Sequence, residues 1–321
     1  MFSLQFRLWL MMTVLFALIY AVVVVAGRYM GISNFYFYLG ISAAIMFFQY
    51  LIGPKMVEWS MGVKYVTRQE YPKLFQMVED QARRAQIPTP KIGVSQMAIP
   101  NAFAFGRGRG DGRICVTQGI MHLLNDNELK AVIGHEMSHI KNRDVLTIML
   151  LSIIPMILYR VAFNFLFFGN RRSSRDSGAN TMLIGLAAFI FYFITNLLVL
   201  YASRIREYFA DQGSVELGNR PEVMATALYK LVYGSARMSK DDLKESEGMK
   251  AFFVNDPSHA RGEIRELSQL DLDKSGTIDR SELNLLQRGG IKLKASDKMM
   301  ELLSTHPNML KRIRHLSQLS V

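Results

Sequence analysis

Two histidines four residues apart, His135 and His139, bracket a glutamate, Glu136, in the run His-Glu-Met-Ser-His. On an α-helix residues four apart share one face, so both imidazoles can converge on one ion while Glu136 points at the neighbouring position. Zinc suits this pattern: imidazole is a good ligand, and an open fourth position lets the ion lower a water's pKa to about 7. Glu136 then takes that proton and passes it to a leaving amine. The third ligand expected is Glu207, in the run Glu207-Tyr208-Phe209-Ala210-Asp211. Asp211, one helical turn further, is spaced to accept a hydrogen bond from a ligand histidine and fix its tautomer.

A second ion-binding pattern lies downstream. Residues 271–282 read Asp-Leu-Asp-Lys-Ser-Gly-Thr-Ile-Asp-Arg-Ser-Glu, which fits a twelve-residue EF-hand loop position by position. Asp271, Asp273 and Ser275 offer oxygens at positions one, three and five, Gly276 permits the sharp turn at six, and Thr277 offers its carbonyl at seven. Asp279 stands at nine and Glu282 at the bidentate twelfth place, with Ser275 a slight departure from the strict Asp/Asn pattern. Ca²⁺ is the ion expected, ordering residues 255–305 and so stabilising the protein or adjusting access to it. No second hand occurs in the sequence.

These residues must be positioned by a chain whose apolar content, half of its 321 residues, is high for a water-soluble protein. The surplus is gathered into long tracts. Residues 8–27 and 29–54 carry no charge, and each is long enough to cross a bilayer core as a helix. A third tract, 145–168, is interrupted by Arg160, and a fourth lies in the uncharged stretch 177–203. Four transmembrane helices are therefore expected. They place residues 1–7, 55–144 and 204–321 on one side, with Arg7, Lys55, Lys64, Lys141, Arg143, Arg204 and Arg206 near the membrane. The other side has Arg28, Arg171, Arg172 and Arg175, so the positive-inside bias puts the larger part in the cytoplasm. The net charge of +11 gathers near span ends, which fits anionic lipid headgroups and not nucleic acid. A single cysteine, Cys115, excludes an intramolecular disulfide.

Between the spans the sequence reads as a mainly α domain with a small antiparallel β-sheet. A helix is expected through YPKLFQMVEDQARRAQ, then extended runs at 91–95, 101–105 and 113–117, the last two joined by a glycine-rich hairpin loop. Asn125 and Glu128 form a capping-box pattern opening a helix to about Arg143. Beyond the fourth span, Ile205–Leu217 and Pro221–Tyr233 read as two helices separated by Gly218. The resulting division is 1–54, two spans; 55–144, the first catalytic part; 145–203, the second hairpin; 204–254, the second catalytic part; 255–305, the calcium-loop insertion; and 306–321, a C-terminal helix.

HEMSHIKNRD at 135–144, followed after a membrane hairpin by EYFADQGS at 207–214, resembles the HtpX group of membrane gluzincin metalloproteases, related to the CaaX prenyl proteases. PNAFAFG at 100–106 and HPNMLKRI at 306–313 extend the likeness along the chain. The resemblance implies that His135, His139 and Glu207 are zinc ligands, Glu136 the general base and Asp211 the carboxylate behind a ligand. It further implies that Asn101–Phe105 is an edge strand, with substrate backbone added along Asn101, Ala102, Phe103 and Ala104. His306 belongs to a motif that approaches the active site in the family, where it or Arg312 could stabilise an oxyanion; a structural helix start containing Pro307 reads equally well. The calcium loop is no part of that family pattern.

The expected function is zinc-dependent endopeptidase action on membrane or membrane-proximal, misassembled polypeptides. The alternatives are a membrane-anchored, calcium-responsive scaffold with an inactive protease fold, and a prenyl protease, for which four spans make a small enclosure.

Overall fold

A computed structural model of the chain describes residues 35–168, 178–237, 263–264, 267–288, 301–302 and 304–319. The first expected span, 8–27, and the loop joining the third and fourth lie outside the described residues. The chain divides into two compact units, Met1–Leu51 with Thr147–Ile205, and Ile52–Leu146 with Arg206–Val321.

In chain order the described elements are α1 (Phe35–Ser60), β1 (Val63–Tyr65), α2 (Pro72–Ala85), β2 (Lys91–Ser95), β3 (Ala102–Gly106), β4 (Gly112–Thr117), α3 (Gln118–Leu123), α4 (Asp126–Asn142), α5 (Asp144–Phe168), α6 (Gly178–Glu216), α7 (Pro221–Ala236), α8 (Arg280–Arg288) and α9 (Met309–Ser317). Among the described residues, one stretch, Met182–Glu216, is long and apolar enough to cross a membrane. In the first unit, Leu151, Ile154 and Leu158 of α5 pack with Val199 and Ala202 of α6. Gly185 allows close approach, since a Cβ there would meet Leu166 at 2.9 Å.

Two expectations about α6 and α9 are corrected. Ile205–Leu217 is not a separate helix but the end of α6, because nothing between Ser203 and Glu216 breaks helical geometry. Chain direction changes at Gly218, whose φ of +88° favours glycine. The C-terminal helix starts after Asn308, whose side chain caps Leu310 N, so His306 and Pro307 precede it.

The sheet is also not purely antiparallel. Its order is β1-β2-β4-β3, with β2 and β4 parallel from Lys91↔Arg113 to Ser95↔Thr117. The β1/β2 and β3/β4 pairs are antiparallel. The chain leaves β2, runs outward as β3 and returns through the Gly106–Gly112 hairpin into the slot beside β2, so β4 acquires the direction of β2. Thr117 pins this crossover: its hydroxyl donates to Ile99 O at 2.7 Å and accepts from Asn101 N at 2.9 Å. β3 is left as an outer strand.

α4 crosses the core of the second unit. Its start carries the expected capping box, with Asn125 accepting from Glu128 N and Glu128 accepting from Asn125 N, both at 3.0 Å. Nearly every residue from Glu128 to Ile140 is buried, as α4 packs against α2, α7 and the sheet. Gly112 has no side chain to keep Ile140 away, and a Cβ there would meet it at 2.9 Å.

Candidate metal centre

The burial of α4 fixes both imidazoles. His135 and His139 lie edge to face, with ring centroids 4.7 Å apart and Nε2 atoms 3.1 Å apart. α6 brings Glu207 to them, with Oε2 3.5 Å from His135 Nε2 and Oε1 3.6 Å from His139 Nε2. Four ligands around zinc at bonds of about 2.0–2.1 Å stand roughly 3.3 Å from one another. The three observed separations bracket that value. Glu207 Oε2 is buried and receives no hydrogen bond, although Arg312 Nη1 stands 3.1 Å away. An acceptor left open beside two imidazole nitrogens fits a metal ion, and the group is compatible with zinc.

Small residues set the α4–α6 distance. A Cβ on Gly213 would meet Ser138 Oγ at 2.2 Å, and one on Gly134 would meet Asn219 Nδ2 at 2.4 Å. Around Gly134 a buried polar cluster ties three elements together: Ser214 Oγ donates to Ala131 O at 2.7 Å, and Asn219 Nδ2 donates to Ser214 O at 3.0 Å and to Gln81 Oε1 at 3.2 Å.

Each histidine is backed by a carboxylate, and each carboxylate by an arginine. His135 Nδ1 lies 2.9 Å from Asp211. Arg312 grips Asp211 from α9 through two hydrogen bonds, Nε to Oδ2 at 2.9 Å and Nη2 to Oδ1 at 2.6 Å. His139 Nδ1 lies 2.6 Å from Asp144, which is ion-paired with Arg206 at 3.0 Å. Sequence reasoning missed Asp144 and Arg206. The available signal was an acid immediately before a long apolar tract and a cation immediately before Glu207, both charges where solvation is limited.

The expectation that Arg312 could face an oxyanion is overturned. Arg312 is fully buried behind the ligands, with its guanidinium committed to Asp211 and Glu207. His306 is buried, its ring bonded to Thr305 at 3.0 Å, and it lies near enough to help hold Glu207 ionised.

Electrostatics follow from burial with countercharge. For Glu207, burial opposes ionisation, but Arg312 and then His135 outweigh it and hold the carboxyl well below its usual range. Asp211 is lowered against burial by Arg312, and Asp144 against burial by Arg206 and His139. Burial also works against protonated His135, yet the neighbouring carboxylates of Asp211 and Glu207 raise it to about 9. Glu136 is raised, chiefly by burial, with the nearby histidines opposing and a backbone hydrogen bond from Ala104 also lowering it.

That Ala104 contact brings the outer strand to the centre. Phe103 and Phe105 turn into a cluster with Val57, Met61 and Cys115, while Ala102 and Ala104 face the core containing α4. Asn101 precedes the strand, its backbone engaged by Thr117. An open cleft between β3 and the end of α4 is lined by Ala104, Phe105, Gly106, Arg107, His139 and Arg143.

The acidic loop also gathers its residues. Asp271, Asp273 and Glu282 each bring an oxygen within 4.8 Å of the others. Asp279 caps α8, accepting from Glu282 N at 2.8 Å, and the Ser275 hydroxyl lies 3.4 Å from Thr277 O.

The profile of peptidase family M48 matches residues 68–320. A Protease HtpX homolog from Methanothermobacter thermautotrophicus is 50% identical over 230 residues, covering 72% of this chain and 86% of that protein. Another, from Aquifex aeolicus, is 34% identical over 303 residues, covering 92% of this chain and 87% of its own length. Among solved structures, the crystal structure of S. mikatae Ste24p is similar, with a TM-score of 0.48 and 15% identity, over 98% of this chain and 67% of that one.

Proposed function

The chain belongs to peptidase family M48 and is a metalloprotease hydrolysing peptide bonds, and from that premise we propose that it is a zinc-dependent endopeptidase whose ion is held by His135, His139 and Glu207. The observation that carries this reading is the convergence of those three side chains at 3.1, 3.5 and 3.6 Å. An ion held by these three side chains would supply Lewis acidity, lowering the pKa of a water and polarising the scissile carbonyl. Glu136, whose carboxyl is raised by burial, would receive that water's proton and return it to the leaving amine. Asp211 and Asp144 hold the histidines in orientation, and His306 is assigned to the developing oxyanion.

Substrate is proposed to add as a further strand beside β3. Main-chain pairing along Ala102–Ala104 suits broad tolerance, since Phe103 and Phe105 are turned into the core and read no substrate side chain. Engagement of Asn101 by Thr117 leaves Ala102, Phe103 and Ala104 as the pairing segment.

The substrates proposed are membrane or membrane-proximal polypeptides, including misassembled ones, at a multi-pass cell-membrane location with the catalytic part in the cytoplasm. In support, α6 exposes Met182, Leu186, Phe189 and Phe193 at helical spacing, an apolar face suited to lipid. Ca²⁺ at the loop 271–282 completes the reading as a second ion.

The test is zinc content and casein cleavage in purified wild type, Glu136→Gln and Glu207→Ala. Glu136→Gln is expected to keep one zinc and lose about 10²–10⁴-fold in rate; Glu207→Ala is expected to lose both. Near-normal cleavage by Glu136→Gln would remove Glu136 as the base.

A further inference from the structure

The loop at 271–282 is unused by the protease chemistry, yet it is built into the catalytic unit. Asp271 and Glu282 are each only 7% exposed. Their oxygens and those of Asp273 converge, and among the described residues neither Asp271 nor Glu282 has a salt-bridge partner. Loop N–H groups of Ser275 and Gly276 bond Asp271, and those of Leu272 and Asp279 bond Glu282, but hydrogen bonds bring no countercharge to two converging buried carboxylates, and a cation between them does. All-oxygen donors in the twelve-residue spacing select Ca²⁺ over a transition metal. Gly276, at φ +78°, supplies the sharp turn that position six requires.

EF-hands ordinarily work in pairs, joined near position eight. Position eight here is Ile278, and its partner is a helix of the protease itself. Ile278 N donates to Thr226 Oγ1 at 2.9 Å, and Thr226 Oγ1 donates to Ile278 O at 3.0 Å, so one hydroxyl of α7 satisfies both backbone groups that a neighbouring strand would take. Tyr229, also on α7, donates to Asp271 Oδ2 at 2.9 Å. Ile278, Leu283 and Leu286 are buried in the same apolar core as α4, α7 and α9. α7 packs on the metal helix α4, and α8 packs on α9, which carries Arg312.

We infer that Ca²⁺ bound by this single hand fastens α8 and α9 onto α7, with α7 standing in for the missing partner hand, so that calcium occupancy stabilises the helix bearing Arg312 behind the metal ligands. The inference rests on the assignment of Ca²⁺ to this loop, and it requires the loop to be coupled to the rest of the catalytic unit. Ligand that binds only the folded hand raises stability by mass action, and the Ile278–Thr226 contact gives that gain a route to α7.

The experiment uses the full chain, zinc-loaded in detergent, titrated with CaCl₂ in a Mg²⁺ background and followed by calorimetry, thermal unfolding and hydrogen exchange. One equivalent of Ca²⁺ is expected to bind, raise Tm by about 5 °C or more, and slow exchange about tenfold in peptides covering 221–236 and 309–317 as well as 267–288. Glu282→Gln is expected to abolish all three effects, and Thr226→Val to retain Ca²⁺ binding while losing the protection outside the loop. Absence of Ca²⁺ binding by wild type at millimolar concentration overturns the calcium site. Binding that protects 267–288 and leaves 221–236 and 309–317 unchanged overturns the coupling while the site stands. Both outcomes are read on the wild-type protein, so they hold even where a variant fails to fold, and zinc content measured alongside tests the protease reading separately.

Discussion

Replacing Gly213 by alanine adds one methyl group away from the metal ligands, and the structure makes it a test of how α6 is registered on α4. The new Cβ would stand 2.2 Å from Ser138 Oγ and 2.7 Å from Ser138 Cβ. Carbon atoms in contact prefer about 3.5–4.0 Å, so roughly 1 Å of separation must be found. Ser138 lies between the two histidines in the sequence and accepts a hydrogen bond from Asn142 at 3.2 Å, and Ala210 and Ala131 around this crossing are fully buried, so the helices must part. Overpacking of this kind costs about 1–3 kcal/mol. Since metal ligands tolerate errors of only about 0.2 Å, much of that strain falls on the Glu207–histidine geometry. A cost of 1–3 kcal/mol corresponds to about 5–150-fold weaker zinc binding. The assay is competition for zinc against a chelator of known affinity, beside thermal unfolding of the metal-free protein. Gly213→Ala combined with Ser138→Gly, which exchanges the small partner across the contact, is expected to recover most of the zinc affinity. Wild-type zinc affinity and stability in Gly213→Ala alone would show that this contact does not set the ligand spacing.

Arg312→Met leaves two buried carboxylates without their cation, so a loss of about 3–5 kcal/mol is expected in urea unfolding. Arg312→Lys should recover little of it, because an ammonium cannot make the two-pronged contact with Asp211. Asp144→Asn is expected to weaken zinc binding about 10–100-fold without unfolding the protein, as measured by chelator competition. The metal-free protein should show a stability maximum in mildly acidic solution. Asp144, Glu207 and Asp211 have depressed folded pKa values, so their stabilisation is present above their unfolded values of about 4 and is lost as pH falls below them. His135 is raised to about 9, so its contribution is present below its unfolded value of about 6.5 and is lost as pH rises through the folded one. Urea midpoints in chelator that climb steadily to pH 10 would contradict this assignment of charges.

The elements around the centre were legible where a local rule governs them. The Asn125–Glu128 capping box, the histidine spacing and the gathering of Asp271, Asp273 and Glu282 each involve residues near in sequence, and periodicity or backbone chemistry alone dictates their relation. Glu207 and Asp211 stand four residues apart on one helix, so their shared face was legible from spacing as well. The direction of β4 was not, because hydrophobic pattern marks a strand without stating which neighbour it pairs with. Nor was the boundary at Ser203, where apolar composition ends but helical geometry continues into α6.

By itself the sequence determined which groups exist for chemistry: two imidazoles on one helical face, acids at matching intervals, and an oxygen-rich loop with glycine where a turn demands it. Tertiary structure alone decided what those groups are paired with. Arg206 lies behind Asp144 and Arg312 behind Asp211 because packing brings α6 to the start of α5 and α9 to α6, across 101 residues in the last case. The physical reason is that a buried charge is stable only with its partner beside it, and which partner that is depends on helices meeting in space.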